Sequence, residues 1–135
     1  MKKACIPLLL LALAITSHAA DPLKTLTTIP VFAFGGIGVT GATSEGELAF
    51  REILKRPSAE KDFLALLKSG NAQGKCYALV GLHGINPKDY PFHAAPYVKS
   101  AAIVHMIGGC MPADLPMYSI VGNIGAGEYD EYSKK

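Results

Sequence analysis

Residues 44–82 read SEGELAFREILKRPSAEKDFLALLKSGNAQGKCYALVGL, and this stretch predicts three short helices in succession. Ser44 with Glu47 three residues later is the capping-box pattern, in which each side chain accepts a backbone N–H that a helix start leaves free. Apolar residues then recur near helical spacing. Pro57 cannot continue a helix and disfavours helical geometry at the residue before it, so we expect the first helix to end near Lys55.

The same stretch carries start and stop signals for two more helices. Ser58 is a second N-cap, and Gly70 ends the helix that it begins. Asn71 is a third N-cap, and His83 with Gly84 closes the last helix of the stretch. Because the connections are too short for crossovers, consecutive helices are expected to fold back on one another. The sequence therefore predicts a small helical cluster.

The N-terminal residues 1–19 have the three parts of a secretory signal peptide. Two lysines precede an apolar run at 6–15, and small residues follow it, so cleavage is expected after Ala19, with Ala20 as the alternative. The apolar run is too short for a transmembrane helix, which needs about 20 residues. We therefore expect a periplasmic or secreted protein.

The charge balance excludes one class of partner. The chain has 13 Lys and Arg residues against 11 Asp and Glu residues, and cleavage removes Lys2 and Lys3, which leaves the mature chain close to neutral. A neutral chain without a basic stripe is a poor ligand for a phosphate backbone, so no nucleic acid is expected as a partner.

The mature length is enough for one domain. About 115 residues can build one core, so residues 20–135 are expected to form a single domain with flexible ends at 20–28 and 128–135. No later segment is long and apolar enough to predict a membrane span in the mature chain. No motif indicates a cofactor.

Two cysteines remain after signal cleavage, because Cys5 lies within the signal peptide. In an oxidising compartment, Cys76 and Cys110 predict one disulfide that closes a long loop. Loop entropy gives such a bridge about 3–4 kcal/mol of stabilisation. The alternative is a pair of buried free thiols.

Two apolar runs predict a minor two-stranded sheet. Residues 29–34, IPVFAF, and 101–107, AAIVHMI, have the length and composition of strands, and their pairing would join the two ends of the domain. Pro112 and Pro116 predict a loop. Apolar residues at helical spacing in 117–124 predict a last short helix. The predicted fold is thus α+β, with three to four short helices, a minor two-stranded sheet and one disulfide.

A glycine-rich segment follows the first predicted strand. Gly36, Gly38 and Gly41 match the G-x-G-x-x-G pattern of dinucleotide-binding loops. However, Glu45 and Glu47 in the next helical turn would repel phosphates from the place where this motif holds them. We therefore interpret the glycines as a bulge or turn.

The proline-rich segment at 90–97 carries the candidate binding residues. Tyr90, Phe92 and Tyr97 could form an aromatic recognition patch, and the alternative is that they cover the helical core. The first functional hypothesis is a non-catalytic binding or accessory module of the periplasm. Its partner would be a protein of the cell envelope, contacted through these aromatic residues and the glycine-rich segment.

The alternative hypothesis is a small hydrolase or a metal-dependent enzyme that uses His83, His93 or His105. No familiar catalytic motif supports it. Together with Cys76 and Cys110, the histidines lack the closely spaced cysteine pair of structural zinc sites, so no metal is expected.

Overall fold

A computed structural model describes residues 20–134 of the chain. The predicted signal peptide at 1–19 lies outside these residues, so it stays a prediction. The described chain contains six α-helices, two antiparallel hairpins and two short 3₁₀ turns. In chain order the helices and strands are α1 (Pro22–Thr27), β1 (Gly36–Ile37), β2 (Ala42–Thr43), α2 (Glu45–Leu54), α3 (Ala59–Ser69), α4 (Ala72–Ile85), α5 (Tyr90–Ala94), β3 (Ile103–Gly108), β4 (Met111–Pro116) and α6 (Met117–Gly125).

Helix α4 lies at the centre of the fold because it is apolar on almost every side. Every residue from Cys76 to Leu82 is buried, and a helix that is apolar all round belongs inside a protein. The other helices and β3 pack around it. Gly81 allows α3 to come close, because a Cβ at this position would lie 2.4 Å from the ring of Phe63. The largest fully buried side chains are Tyr77, Phe32, Phe50, Phe63, Leu26, Ile53, Leu66, Leu79, Leu82, Met117, Ile120 and Ile124.

The helices α2 and α4 begin at the predicted caps. The hydroxyl of Ser44 accepts the Glu47 N–H at 3.1 Å, and the side-chain oxygen of Asn71 accepts the Gly74 N–H at 2.8 Å. Helix α4 continues to Ile85, slightly beyond its predicted end. The predicted N-caps are confirmed, but the reciprocal half of the capping box is wrong, because the Glu47 carboxylate accepts the Gly35 N–H and pairs with Arg51 instead of accepting the Ser44 N–H.

Helix α3 forms where it is predicted but without the predicted cap. Its first residue is Ala59, and the hydroxyl of Ser58 donates to the carboxylate of Asp62 at 2.8 Å instead of accepting a backbone N–H. The helix ends before Gly70, as predicted.

The segment at 21–28, expected to be a flexible leader, carries helix α1 instead. The carboxylate of Asp21 accepts the Leu23 N–H at 3.1 Å, and Pro22 occupies the first helical position, where its missing N–H costs nothing. Leu26 is fully buried against the core. A single buried leucine in a polar segment is a weak sequence signal, which is why the helix is not apparent from the sequence.

Residues 29–34 do not form the predicted strand. They meet 101–107 at one isolated parallel bridge, in which Phe32 donates its N–H to the His105 carbonyl at 2.8 Å and accepts the Ile107 N–H at 3.2 Å. The expected contact between the two segments therefore exists, but it is a single bridge. The apolar character of 29–34 reflects burial among the helices instead, since Ile29 and Phe32 belong to the core.

The main sheet is the β3–β4 hairpin, and β4 occupies the segment predicted as a loop. His105 and Ile107 turn their backbone groups towards Phe32. Their partners across the ladder, Asp114 and Pro112, therefore turn theirs away from β3 to the free edge of the sheet. The other proline of β4, Pro116, pairs with Ile103 and has the same orientation. Both prolines thus lack an N–H only where the ladder does not need one.

Two further helices complete the fold. Pro91 stands in the first turn of α5, so the proline-rich segment at 90–97 begins as a helix, and a 3₁₀ turn at Ala95–Tyr97 follows it. Helix α6 confirms the predicted last helix, and Met117, Ile120, Val121 and Ile124 form its buried face. A 3₁₀ turn at Asp130–Tyr132 lies within the segment expected to be a flexible end.

The predicted disulfide is not formed, because Cys76 and Cys110 are both free. Cys76 is fully buried in the middle of α4, whereas Cys110 lies exposed at the turn between β3 and β4. A disulfide needs Cα atoms within about 7 Å, and the number of cysteines in a sequence says nothing about this distance. The α+β class is confirmed without the bridge, and with more helices than the three to four expected.

Candidate functional site

The glycine-rich segment forms a small antiparallel hairpin that projects from the start of α2. Gly36 pairs with Thr43 and Ile37 with Ala42. Between the strands, Gly38 and Gly41 have φ values of 69° and 65°, a region that favours residues without a Cβ. Two of the three glycines of the G-x-G-x-x-G pattern therefore serve the turn, and Gly36 lies in β1.

A buried carboxylate fixes the base of this hairpin. Glu47 is 1% exposed, and one of its carboxylate oxygens accepts the Gly35 N–H at 2.9 Å. Its other oxygen pairs with the guanidinium of Arg51 one helical turn later. A buried carboxylate is costly unless charge and hydrogen bonds compensate it, and here both are present.

Two hydroxyl groups hold the chain just before the hairpin. Tyr77 of α4 donates to the Ala33 carbonyl at 2.9 Å and accepts the Ala33 N–H at 2.9 Å. Ser44 donates to the same carbonyl at 2.8 Å. Burial raises the pKa of Tyr77, which keeps its hydroxyl protonated and able to donate.

An aromatic stack also holds the chain that leads into the hairpin. The rings of Phe34 and Tyr132 are stacked with centroids 4.8 Å apart, and Phe50 meets Phe34 edge-on at 5.0 Å. The C-terminal turn thus packs against the residue that leads into Gly35. The hairpin is positioned by polar and aromatic contacts together.

The tips of the two hairpins lie side by side. The N–H of Gly38 donates to the carbonyl of Gly109 in the β3–β4 turn at 3.1 Å. Val39 is 99% exposed and Met111 is 73% exposed, and Cys110 beside Met111 is also exposed. We call residues 35–43 and 108–113 the two-hairpin surface. These residues include no charged side chain.

The three predicted aromatic binding residues have three different environments. Tyr90 is buried and donates its hydroxyl to the Val121 carbonyl at 2.8 Å. Tyr97 is half-buried, and its hydroxyl donates to the Leu67 carbonyl at 3.3 Å. Phe92 is 81% exposed. Of the three, Phe92 is the one whose ring is largely free for a partner.

The three histidines lie on separate elements. His83 of α4 has its Nδ1 2.9 Å from Oδ1 of Asp130, and His105 of β3 has its Nδ1 2.7 Å from Oδ1 of Asp114. His93 of α5 meets the ring of Phe92 at a centroid distance of 5.6 Å. Within residues 20–134, no three His, Cys, Asp or Glu side chains gather in a group that could hold a metal ion.

The geometry gives partial support for histidine chemistry at one position. Asp130 can orient the His83 imidazole, but the nearby Ser133 hydroxyl donates to the Asp130 carbonyl at 3.1 Å. An activated nucleophile needs its hydrogen bond to the base, so this serine is not set up for catalysis. The hydrolase alternative stays a prediction.

Sequence reasoning misses the exposed residues that make the two-hairpin surface distinctive. Val39 follows a glycine and Met111 precedes a proline, and neither belongs to a periodic apolar pattern. The Gly108–Gly109 pair after a strand-like run is the signal that indicates a hairpin turn at Cys110. Gly109 indeed has a φ of 58°.

Comparison with protein-family models, with curated proteins and with solved structures finds no match for this chain. A search of the helices in residues 20–134 finds none whose length and apolar character would suffice to cross a membrane. The site is therefore interpreted from its own geometry.

Proposed function

We propose that this chain is an exported, non-catalytic binding or accessory protein that contacts a protein of the cell envelope through the two-hairpin surface. The observation that carries the proposal is the pair of adjoining hairpin tips, which expose Val39 and Met111 without any charged neighbour in the same segments. Exposed apolar surface costs solubility, and contiguous patches of it mark interaction sites.

The way in which the surface is held supports binding. The carboxylate of Glu47, the hydroxyls of Tyr77 and Ser44, and the stacked ring of Tyr132 all fix the chain around the glycine-rich hairpin. A surface that is ordered before contact loses less conformational entropy when its partner arrives. Polar and aromatic contacts thus prepare an otherwise glycine-rich segment for recognition.

Export is the part of the proposal that comes from the sequence. The predicted signal peptide at 1–19 would place the mature protein in the periplasm or outside the cell. Mass spectrometry of the protein from a periplasmic fraction should find an N-terminus at Ala20 or, for the alternative cleavage site, at Asp21. An intact N-terminus at Met1 in that material would contradict export by this signal.

Cys110 offers a direct test of the contact surface. A thiol-directed photo-crosslinker attached to Cys110 should yield one defined protein adduct in native envelope material, while Cys76 is buried and stays unlabelled. Replacing Val39 and Met111 together by serine should abolish this adduct, because it removes the apolar side chains at the tips. Both side chains are exposed, so the fold should persist.

The matched control is Leu48→Ser, which removes a side chain that is 55% exposed on α2. This variant should keep the adduct. The variant Phe92→Ala tests whether the exposed ring of α5 belongs to the same contact surface. Loss of the adduct would extend this surface to α5, and retention of the adduct would confine it to the hairpins. An adduct that survives the double replacement at Val39 and Met111, or no adduct at all, would contradict the proposal.

A further inference from the structure

A second concave surface lies away from the hairpin tips, between α5 with its following 3₁₀ turn and α6. Its volume is about 410 Å³, within the range of small-molecule sites. Its walls include Pro91, Val98 and Tyr118, and the imidazole of His83 borders it. We call this concave surface the His83 groove.

His83 gives the groove one polar group with a defined role. Its Nδ1 lies 2.9 Å from a carboxylate oxygen of Asp130, and its ring meets Tyr90 edge-on at 4.9 Å. A nitrogen lone pair at that distance would repel the carboxylate, so Nδ1 carries the proton. In the neutral imidazole, Nε2 is then a hydrogen-bond acceptor.

Gly122 forms an open part of the groove at the cost of helix stability. It lies inside α6, where glycine costs about 1 kcal/mol relative to alanine. A Cβ at this position would meet no atom within 4 Å in the described chain, its own helix backbone and its two neighbours aside. Gly81 of α4 differs, because the ring of Phe63 occupies the space beside it. The fold requires glycine at position 81, whereas Gly122 is exposed and the space beside it is open.

The lining specifies the chemistry of an occupant. Among the described residues, no Asp, Glu, Lys or Arg side chain lines the groove, so a charged ligand would lose its hydration without compensation. The aromatic ring of Tyr118, with the apolar pyrrolidine of Pro91 also in the lining, favours a planar apolar body. Nε2 of His83 favours one O–H or N–H donor on it.

We propose that the His83 groove binds a neutral aromatic molecule that carries one hydroxyl or N–H donor, with its ring over Gly122 and its donor on Nε2 of His83. This site is separate from the two-hairpin surface, so either proposal can be refuted without affecting the other. It requires no chemical step and no metal.

The test uses 4-methylphenol as the probe and NMR spectroscopy of the full mature chain as the readout. Titration should shift the Gly122 amide and the His83 imidazole signals in a saturable manner. Toluene, which has the same ring without the donor, should bind about tenfold more weakly, as expected for the loss of one hydrogen bond to a partly buried acceptor. Equal affinities would overturn the assigned role of His83.

Gly122→Leu should abolish the shifts, because its side chain fills the groove. The substitution adds a better helix former where the space is open, so thermal stability should not fall. The matched control is Ala126→Leu, which adds the same side chain at the exposed end of α6, outside the groove lining, and should leave binding unchanged. Absence of saturable shifts in the unaltered chain, or identical titrations in Gly122→Leu, would overturn the proposal.

Discussion

In the central helix α4, every residue from Cys76 to Leu82 is buried, whereas Val39 in the two-hairpin surface is 99% exposed and Met111 is 73% exposed. The helical region is held by apolar packing. Both hairpins are held by backbone pairing, and a buried carboxylate and an aromatic stack also hold the base of the glycine-rich hairpin. The difference indicates that the packed helices maintain the fold, while the two-hairpin surface is held in place without contributing side chains to the core.

The largest effect is expected from removing a core ring. Phe63→Ala takes away a fully buried side chain beside Gly81 and should lower the free energy of unfolding by about 3–5 kcal/mol. Val39→Ala at the hairpin tip should change it by less than about 0.5 kcal/mol. Urea denaturation of both variants measures the contrast. Similar losses of unfolding free energy in the two variants would mean that the hairpin tip contributes to stability as much as the core ring does.

Alkaline pH should affect the two regions differently, because Cys76 is buried in α4 whereas Cys110 is exposed at the β3–β4 turn. Burial raises the pKa of Cys76 from 9.0 to about 12, so above pH 9.0 the unfolded chain loses this proton before the folded chain does. The stability present below pH 9.0 is therefore lost as pH rises, by about 1.4 kcal/mol per pH unit until the folded pKa is reached. Burial also raises the pKa of Tyr129 to about 12, which acts in the same direction.

Denaturant titrations across this pH range measure the slope. Cys76→Ala should reduce it, because the buried thiol is gone. Cys110→Ala, at the exposed turn, should leave it unchanged. An unaltered slope in Cys76→Ala would show that the alkaline loss has another origin.

The smallest effect concerns two neighbouring positions on β4. Ala113 faces β3 in the ladder, so Ala113→Pro should remove a hydrogen bond and cost about 1–3 kcal/mol. Pro112 faces the free edge, so Pro112→Ala should change stability by less than about 0.5 kcal/mol. Thermal unfolding followed by circular dichroism compares them. A larger loss for Pro112→Ala than for Ala113→Pro would refute the register.

The helical half of this fold is predictable from the sequence because its signals are local. A cap such as Ser44 or Asn71, and a breaker such as Gly70, act within one turn of the helix that they limit. Apolar spacing then identifies the buried face, as it does for α6. Three of the described helices and their order follow from the stretch at 44–82 alone.

The hairpins are less predictable from the sequence, because the role of each residue in them depends on the strand register. Whether Pro112 breaks β4 depends on which residue it opposes, and the pairing of His105 with Asp114 depends on the same alignment. The disulfide prediction fails for a similar reason, since the separation of Cys76 and Cys110 is a property of the fold. The candidate site, made of exposed single residues, carried still less local signal than the hairpins themselves.

The placement of prolines on β4 has a consequence for crowded conditions. At the free edge of the β3–β4 sheet, two of the three outward positions, Pro112 and Pro116, have no N–H, which leaves Asp114 to offer one. An approaching strand from another molecule could not complete a ladder there, and the Asp114 carboxylates of stacked copies would repel one another. The folded chain can therefore expose an apolar tip without offering its sheet as a template for fibrillar growth.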